Sequence, residues 1–243
     1  MSKHIVNYQA KPDARKRLFC FPYAGGGAGI FRLWGQFLPD DIALYAVELP
    51  GRVHLREPAA KDMKELIDIL YPEIADLLDK PFAFFAHSYG SVVAYELTRR
   101  LQETGKPLPD HVIVSARRAP HIASSIALTA HLSDSEFIAA MQTQFGAIPQ
   151  AVLNDKSLLA MFLPVLREDI RLNENYLGSI NPPLTVPLTV FLGVDDKSGA
   201  TINIDKWKET TIGPYLQKQF PGGHFYIDTA RQQVIEEISK ILS

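Results

Sequence analysis

The chain has 243 residues, of which 47% are hydrophobic and 21% are charged, a composition typical of a globular protein with a substantial core. The formal net charge of -2 argues against nucleic acid or an anionic membrane as a partner. Cys20 is the single cysteine, so no internal disulfide can form, and its apolar surroundings favour a buried structural thiol over a catalytic one. The N-terminus lacks the apolar core of a signal peptide, and no apolar run reaches the ~18 residues of a membrane span, so we expect a cytoplasmic protein.

Five short apolar runs predict the strands of a parallel β-sheet. Each is apolar at consecutive positions, which is typical of strands covered on both faces. The runs are residues 18–21, 42–49, 82–86, 111–116 and 188–192.

Helical patterns alternate with these strands. They cover residues 61–78, with Pro72 as a candidate kink, residues 91–104, and the C-terminal segment, for which Asp228 or Thr229 is the expected cap. The alternation predicts an α/β fold with right-handed crossovers and helices on both faces of the sheet.

Residues 120–183 depart from this alternation, because they contain two helical patterns and no predicted strand. The first helix begins with the capping-box spacing of Ser133 and Glu136 and ends near Gly146. The second covers about residues 154–176 and contains Pro164, which should kink or break it.

This helical segment carries more apolar side chains than surface helices need, among them Met161, Phe162, Leu163 and Leu166. That excess favours a lid over a site, with a longer surface connection as the alternative. We therefore expect one domain, residues 1–243, with a helical lid at about residues 120–183.

The strongest chemical signal is the run Ala86-His-Ser-Tyr-Gly, which joins a predicted strand directly to a predicted helix. A tight strand-to-helix turn that presents a serine hydroxyl needs small residues two positions before and after it. Gly90 meets this need, and Ala86 replaces the glycine that is usual at the first position. We expect Ser88 to be the nucleophile of a serine hydrolase with the α/β-hydrolase fold.

A serine hydroxyl needs a base to take its proton. Among the histidines after Ser88, His111 begins a strand and is expected at the surface near the sheet edge, while His121 and His131 lie in the predicted lid. His224 follows two glycines, between a possible last strand and the final helix, which is where this fold places its base. His224 is therefore the expected base.

The acid should follow a strand between the serine and the histidine. Asp195 and Asp196 both follow the predicted strand at residues 188–192. The third position after the strand-ending glycine is usual in this fold, which favours Asp196 and leaves Asp195 as the alternative. The acid would hold the tautomer of the imidazole and stabilise the imidazolium.

Two backbone N–H groups should bind the oxyanion of the tetrahedral intermediate. One is that of Tyr89, the residue after the nucleophile, and the other comes from the glycine-rich loop after the first predicted strand. Ala24 is the favoured donor of that loop, with Tyr23 or Gly25 as alternatives. A phosphate-binding loop is disfavoured, because the dinucleotide spacing and a Lys-Ser/Thr ending are both missing.

Together these motifs resemble the type II thioesterases, the stand-alone editing partners of polyketide and nonribosomal peptide synthases, and are similar to the medium-chain acyl-carrier-protein thioesterase of mammary gland. The matching segments span nearly the whole chain: Cys20-Phe-Pro-Tyr-Ala-Gly-Gly-Gly, Glu48-Leu-Pro-Gly-Arg, Ala86-His-Ser-Tyr-Gly, Val114-Ser-Ala-Arg-Arg-Ala-Pro, Phe162-Leu-Pro with Arg167-Glu-Asp, Gly193-Val-Asp-Asp and Pro221-Gly-Gly-His-Phe-Tyr. Most members have glycine in place of Ala86 and methionine in place of Tyr89, whose side chain should alter the shape of the pocket.

The resemblance implies hydrolysis of acyl thioesters on the phosphopantetheine arm of a carrier protein, through an acyl intermediate on Ser88 and a triad completed by Asp196 and His224. It implies a monomer that needs no metal or redox cofactor, and a lid that shapes the acyl pocket and helps dock the carrier. Four arginines are candidates for contact with an acidic carrier surface, with solvated surface residues as the alternative: Arg117, Arg118, Arg167 and Arg171.

Two other functions fit the same residues. One is a small-molecule carboxylesterase or lipase, which would cleave alkyl esters faster than carrier-bound thioesters. The other is a protein that binds carrier domains without catalysis.

Overall fold

The computed structural model describes residues 2–243. Within that range seven strands form one sheet with the order β1-β3-β2-β4-β5-β6-β7. The strands are β1 (Ile5–Val6), β2 (Lys16–Phe21), β3 (Ile42–Val47), β4 (Phe82–His87), β5 (His111–Ser115), β6 (Leu188–Gly193) and β7 (Tyr215–Phe220). All pairs are parallel except β1 with β3. This mostly parallel sheet, flanked by helices, confirms the predicted α/β-hydrolase fold.

The five predicted strands are all present, and the possible last strand before the histidine loop is β7. The sequence did not predict β1, which is two residues long. The expectation that His111 lies near the sheet edge is wrong, because β5 pairs with β4 and β6. The ring of His111 is half-buried, and its Nε2 lies 2.8 Å from Oγ1 of Thr189 on β6.

Seven α-helices lie in the described residues: α1 (Met63–Ala75), α2 (Tyr89–Glu103), α3 (Asp134–Phe145), α4 (Gln150–Leu153), α5 (Lys156–Glu174), α6 (Tyr226–Thr229) and α7 (Arg231–Leu242). The C-terminal cap was predicted wrongly, because Asp228 and Thr229 lie inside α6 and α7 follows Ala230 with no side-chain cap. Among residues 2–243, no helix is both long and apolar enough to cross a membrane.

The core lies on both faces of the sheet, as the consecutive apolar residues of the strands require. On β2, Phe19 and Phe21 pack towards α1 and α2, whereas Leu18 and Cys20 pack towards α7 and the turns at residues 28–37. Cys20 is completely buried, and burial raises the pKa of its thiol well above the ordinary value. A structural thiol is therefore the interpretation that the structure supports.

The helical segment between β5 and β6 has a small core of its own, formed by Phe137, Met141, Ile148, Leu163, Leu166 and Ile170. Its first helix, α3, has the predicted capping box of Ser133 and Glu136 and ends at Gly146 in a left-handed conformation. Pro164 was expected to kink or break the helix, and it does not break it, because α5 continues through that residue. Buried side chains before and after the proline hold both halves of α5 against the same core, and such packing outweighs local propensity.

Candidate active site

Ser88 lies in the turn between β4 and α2, with φ 53° and ψ -116°. A positive φ is costly for a residue with a side chain, so the surrounding contacts must hold the turn. The N–H of Ser88 donates to the carbonyl of Ser115 at 2.7 Å. At Gly90 a Cβ would lie 2.5 Å from the carbonyl oxygen of Phe21, so only glycine lets α2 pack this closely on β2.

The imidazole of His224 lies beside this serine, with Nε2 3.0 Å from Ser88 Oγ. His224 follows β7 in a loop with two glycines, one of which, Gly222, has φ 114°. The side chain of His224 is 4% exposed, so little water competes for its hydrogen bonds. Of the other histidines after Ser88, His121 pairs with Glu209 and His131 is exposed, so the structure brings only His224 to the serine.

Asp196 lies on the other side of the imidazole, with Oδ2 2.8 Å from His224 Nδ1. The side chain of Asp196 is 1% exposed, whereas its neighbour Asp195 is exposed. Burial alone would raise the pKa of Asp196, but hydrogen bonds from His224 and Ser198 lower it below the ordinary value. Asp196 is therefore a carboxylate at neutral pH and can orient the imidazole.

Ser198, a residue that the sequence does not single out, supports the acid. Its N–H donates to Asp196 Oδ1 at 3.0 Å, and its buried hydroxyl lies 3.4 Å from His224 Nδ1. Ser198 thus holds the carboxylate oxygen that does not face the imidazole. Nothing in the sequence around Ser198 distinguishes it from an ordinary turn residue.

A second histidine, His87, immediately precedes the nucleophile. It ends β4, is completely buried, and its ring centre lies 5.5 Å from that of His224. Burial lowers the pKa of His87 well below its ordinary value, and the nearby His224 lowers it further. Its Nδ1 lies 2.7 Å from Ser115 Oγ, so His87 is a neutral, hydrogen-bonded part of the core.

The two candidate oxyanion donors belong to different parts of the fold, the start of α2 and the loop after β2. Tyr89 begins α2, so its N–H has no carbonyl partner within the helix. Ala24 lines the same cavity as Ser88. Of the alternatives in the loop, Gly25 already donates its N–H to Asp169 Oδ2 at 2.8 Å. This bond leaves Ala24 as the better candidate.

The side chain of Tyr89 does not shape the cavity at Ser88, which corrects the expectation from the sequence. It is 1% exposed and lies below α5, beside Leu66 and Leu172. These two neighbours belong to α1 and α5, and Tyr89 is not among the residues that line the cavity at Ser88.

The cavity at Ser88 lies between the sheet and the helical segment. Its volume is about 50 Å³, and both α3 and α5 and the loops contribute apolar and polar residues to its lining. The lining includes Ala24, Ile126, Met141, Phe145, Ala147, Leu166, Ile170, Ser88, Arg117, Arg118, Thr129, Gln144, Asn173 and His224. The helical segment therefore contributes much of the wall beside the serine.

The four arginines that are candidates for contact with a carrier divide into two pairs. Arg117 and Arg118 are 3% and 4% exposed, so their prediction as surface residues is wrong: they lie just beyond Ala116 after the end of β5, and they line the cavity. Burial lowers the pKa of Arg117 to about 9, and the neighbouring Arg118 lowers it too. Arg167 and Arg171 are only partly buried and bind carbonyl groups and carboxylates around α5.

The fold, with a serine, a histidine and an aspartate in hydrogen-bond contact above the carboxyl ends of its strands, is typical of serine hydrolases of the α/β-hydrolase class. A profile of the thioesterase domain matches residues 16–242. The chain belongs to the thioesterase family, and is thus a thioester hydrolase. This assignment confirms the resemblance stated from the sequence.

Relatives and solved structures agree with the family assignment. The gramicidin S biosynthesis protein GrsT of Aneurinibacillus migulanus is 32% identical over 100% of this chain and 94% of its own length. The medium-chain S-acyl fatty acid synthase thioesterase of Rattus norvegicus is 35% identical over 89% of this chain and 83% of its own. The type II thioesterase BorB from the borrelidin biosynthetic cluster has a TM-score of 0.89 and 34% identity, and the match covers 100% of this chain and 98% of BorB.

Proposed function

We propose that this thioesterase hydrolyses acyl groups from the phosphopantetheine arm of carrier proteins, with Ser88 as nucleophile, His224 as base and Asp196 as the acid that orients it. The observation that carries the proposal is the pair of contacts at His224, 3.0 Å to Ser88 Oγ and 2.8 Å to Asp196 Oδ2. The likeness to biosynthetic thioesterases supports a carrier-bound substrate.

In the first half of the reaction, Ser88 Oγ attacks the thioester carbonyl while His224 Nε2 takes the hydroxyl proton. The N–H groups of Ala24 and Tyr89 bind the oxyanion that forms. The C–S bond then breaks, the thiol leaves with the proton from His224, and the acyl group remains on the serine as an ester.

In the second half, His224 takes a proton from water, and the resulting hydroxide attacks the acyl ester. The ester bond to Ser88 breaks, the serine regains its proton from His224, and the free acid leaves. Throughout, Asp196 stays ionised, because its hydrogen bonds hold its pKa below the ordinary value, and it balances the charge of the imidazolium.

We further propose that the helical segment at residues 120–183 is a lid within a single α/β-hydrolase domain. Its side chains Met141, Phe145 and Leu166 form part of the apolar wall beside Ser88. A cavity of about 50 Å³ is roughly a third of the 150 Å³ that holds a benzene molecule. We therefore expect short acyl groups to be preferred.

The test is intact-mass analysis of a panel of acyl-loaded carrier proteins after exposure to the enzyme. The expected result is loss of the acyl mass, with the phosphopantetheine arm retained and short chains released first. Ser88→Ala should abolish the loss while its thermal unfolding stays that of the wild type. Faster cleavage of simple alkyl esters than of carrier thioesters would instead support a carboxylesterase, and full hydrolysis by Ser88→Ala would refute the mechanism.

A further inference from the structure

Two of the sequence motifs that the mechanism leaves unused meet on the loop after β2. One motif contributes Arg52, and the other, on α5, contributes Asp169. The two side chains form a buried bidentate ion pair, with Arg52 Nη1 3.0 Å from Asp169 Oδ1 and Nη2 2.7 Å from Oδ2. The residues are 6% and 4% exposed.

The same pair holds the glycine-rich loop at two peptide units, Ala24–Gly25 and Gly26–Gly27. Asp169 Oδ2 accepts the N–H of Gly25 at 2.8 Å, and Arg52 Nε donates to the carbonyl of Gly26 at 2.8 Å. A third charged residue, Glu48, accepts the N–H of Ala28 at 3.2 Å through Oε2. The loop that contains Ala24 is thus fixed by charged groups shielded from water, where hydrogen bonds to ionised groups are strong.

We propose that Asp169, clamped by Arg52, is a positioning residue that aims the N–H of Ala24 at the oxyanion. By binding the N–H of Gly25, the carboxylate directs that group away from the cavity and fixes the peptide that follows Ala24. Because Asp169 belongs to α5, the loop that contains Ala24 keeps this position only while α5 packs against it. The inference rests on the proposed function, since it assigns a role to the proposed oxyanion donor.

Asp169 has no direct place in the proton transfer. The Nδ1 atom of His224 already faces Asp196, and both oxygens of Asp169 are engaged by Arg52, with Oδ2 also bound to Gly25. Its effect on the reaction must therefore pass through the loop.

The test replaces the ion pair by apolar side chains of similar size, in the double variant Asp169→Leu/Arg52→Met. Such a replacement often leaves folding intact, because both charges of the pair are removed together. Glu48 loses Arg52, whose Nε lies 4.0 Å from its Oε1, but keeps the hydrogen bond from the N–H of Ala28. With a short acyl thioester of a small thiol as substrate, we expect kcat to fall by roughly 10²-fold, as when an oxyanion donor is misplaced, while KM changes less than about threefold.

A second measurement separates loss of the oxyanion donor from general damage. An alkyl trifluoromethyl ketone forms a tetrahedral adduct with the serine, and its oxyanion needs the same N–H groups. We expect its affinity to fall by the same factor as kcat, whereas binding of the free acid product stays unchanged. A folded double variant with unchanged kcat, or with lower kcat and unchanged affinity for the ketone, would overturn the proposal.

If the double variant does not fold, Arg52→Lys serves in its place. Lysine keeps the charge but cannot form the bidentate pair, so we expect kcat to fall by about tenfold at similar KM, and unchanged kcat would count against the clamp. The matched control is Glu168→Gln, which alters the neighbouring carboxylate on α5 at the surface and should leave turnover of the small thioester unchanged. Failure of the wild-type enzyme to hydrolyse any thioester would refute the proposed function itself, a result distinct from these.

Discussion

Gly193, the last residue of β6, faces the carbonyl of Gly222 so closely that a Cβ at position 193 would lie 2.5 Å from that oxygen. The same carbonyl accepts the N–H of Asp195 at 3.0 Å. The turn that contains the acid is therefore in direct contact with the loop that contains the base. The 2.8 Å distance between Asp196 and His224 depends on the absence of a side chain at position 193.

We expect Gly193→Ala to lower kcat by roughly 10²-fold, because the loop must move away and an error of about 1 Å in a reacting group has an effect of that size. Steady-state kinetics with a short acyl thioester measures the effect. Gly35→Ala is the matched control, since the nearest atom to its Cβ would be Oε1 at the flexible end of the Gln9 side chain, at 3.0 Å. Equal activity of Gly193→Ala and wild type would show that the loop tolerates the shift.

The two adjacent aspartates should differ sharply in their effect on activity. Asp196→Asn removes the carboxylate that faces His224 Nδ1 and favours the wrong tautomer, for which a loss of kcat of about 10⁴-fold is expected. Asp195→Asn changes an exposed side chain and should alter kcat less than about threefold. Paired kinetic assays of the two variants measure this, and the reverse ranking would transfer the role of the acid to Asp195.

The sequence predicted the elements that have a strong local signal. Buried parallel strands appear as consecutive apolar residues, which identified the five inner strands. The edge strand β7 reads Tyr-Leu-Gln-Lys-Gln-Phe, with three exposed side chains, so its pattern is weak, and the two-residue β1 has no pattern at all. Pairing with a neighbouring strand defines both of these elements, and such pairing is a tertiary property.

The residues of the candidate active site also divide into those with a local sequence signal and those defined by tertiary contacts. Ser88 and His224 lie in short motifs whose backbone conformation requires small residues at fixed positions. Such motifs can be recognised in the sequence alone. The contact of Arg52 with Asp169 joins residues 117 positions apart, and that of Ser198 with His224 joins residues 26 positions apart. Neither pair has a spacing that predicts the contact, and burial of charged residues is equally invisible in a local sequence pattern.

Burial of His87 as a neutral imidazole makes the fold sensitive to acid. Burial lowers the pKa of His87 far below its ordinary value near 6.5, so below that pH the unfolded chain binds a proton that the folded chain does not. The free energy of unfolding should therefore fall with decreasing pH from about 6.5, by up to about 1.4 kcal/mol per pH unit from this residue.

Urea unfolding at several pH values between 7 and 5 measures this dependence. His87→Asn should have a smaller slope than the wild type over that range, although its stability at pH 7 is lower because the hydrogen bond to Ser115 is altered. The exposed His131→Asn should keep the wild-type slope. Identical slopes for wild type and His87→Asn would mean that His87 is not held neutral by the fold.

Met141 and Met161 offer a matched pair for testing the role of the cavity. Met141 on α3 is 1% exposed and lines the cavity beside Ser88, whereas Met161 on α5 is 47% exposed. Met141→Ala removes side-chain volume from the wall, so we expect longer acyl chains to be hydrolysed faster relative to short ones, at a stability cost of about 2–5 kcal/mol.

Competition between acyl thioesters of different length measures the preference, and urea unfolding measures the stability. Met161→Ala carries the same chemical change at the surface and should leave the preference unaltered and the stability within about 0.5 kcal/mol of the wild type. If Met141→Ala folds and its preference matches that of the wild type, the acyl chain does not occupy this cavity. Because the wall is formed by α3 and α5, that result would also remove the structural reason for assigning substrate selection to the helical segment.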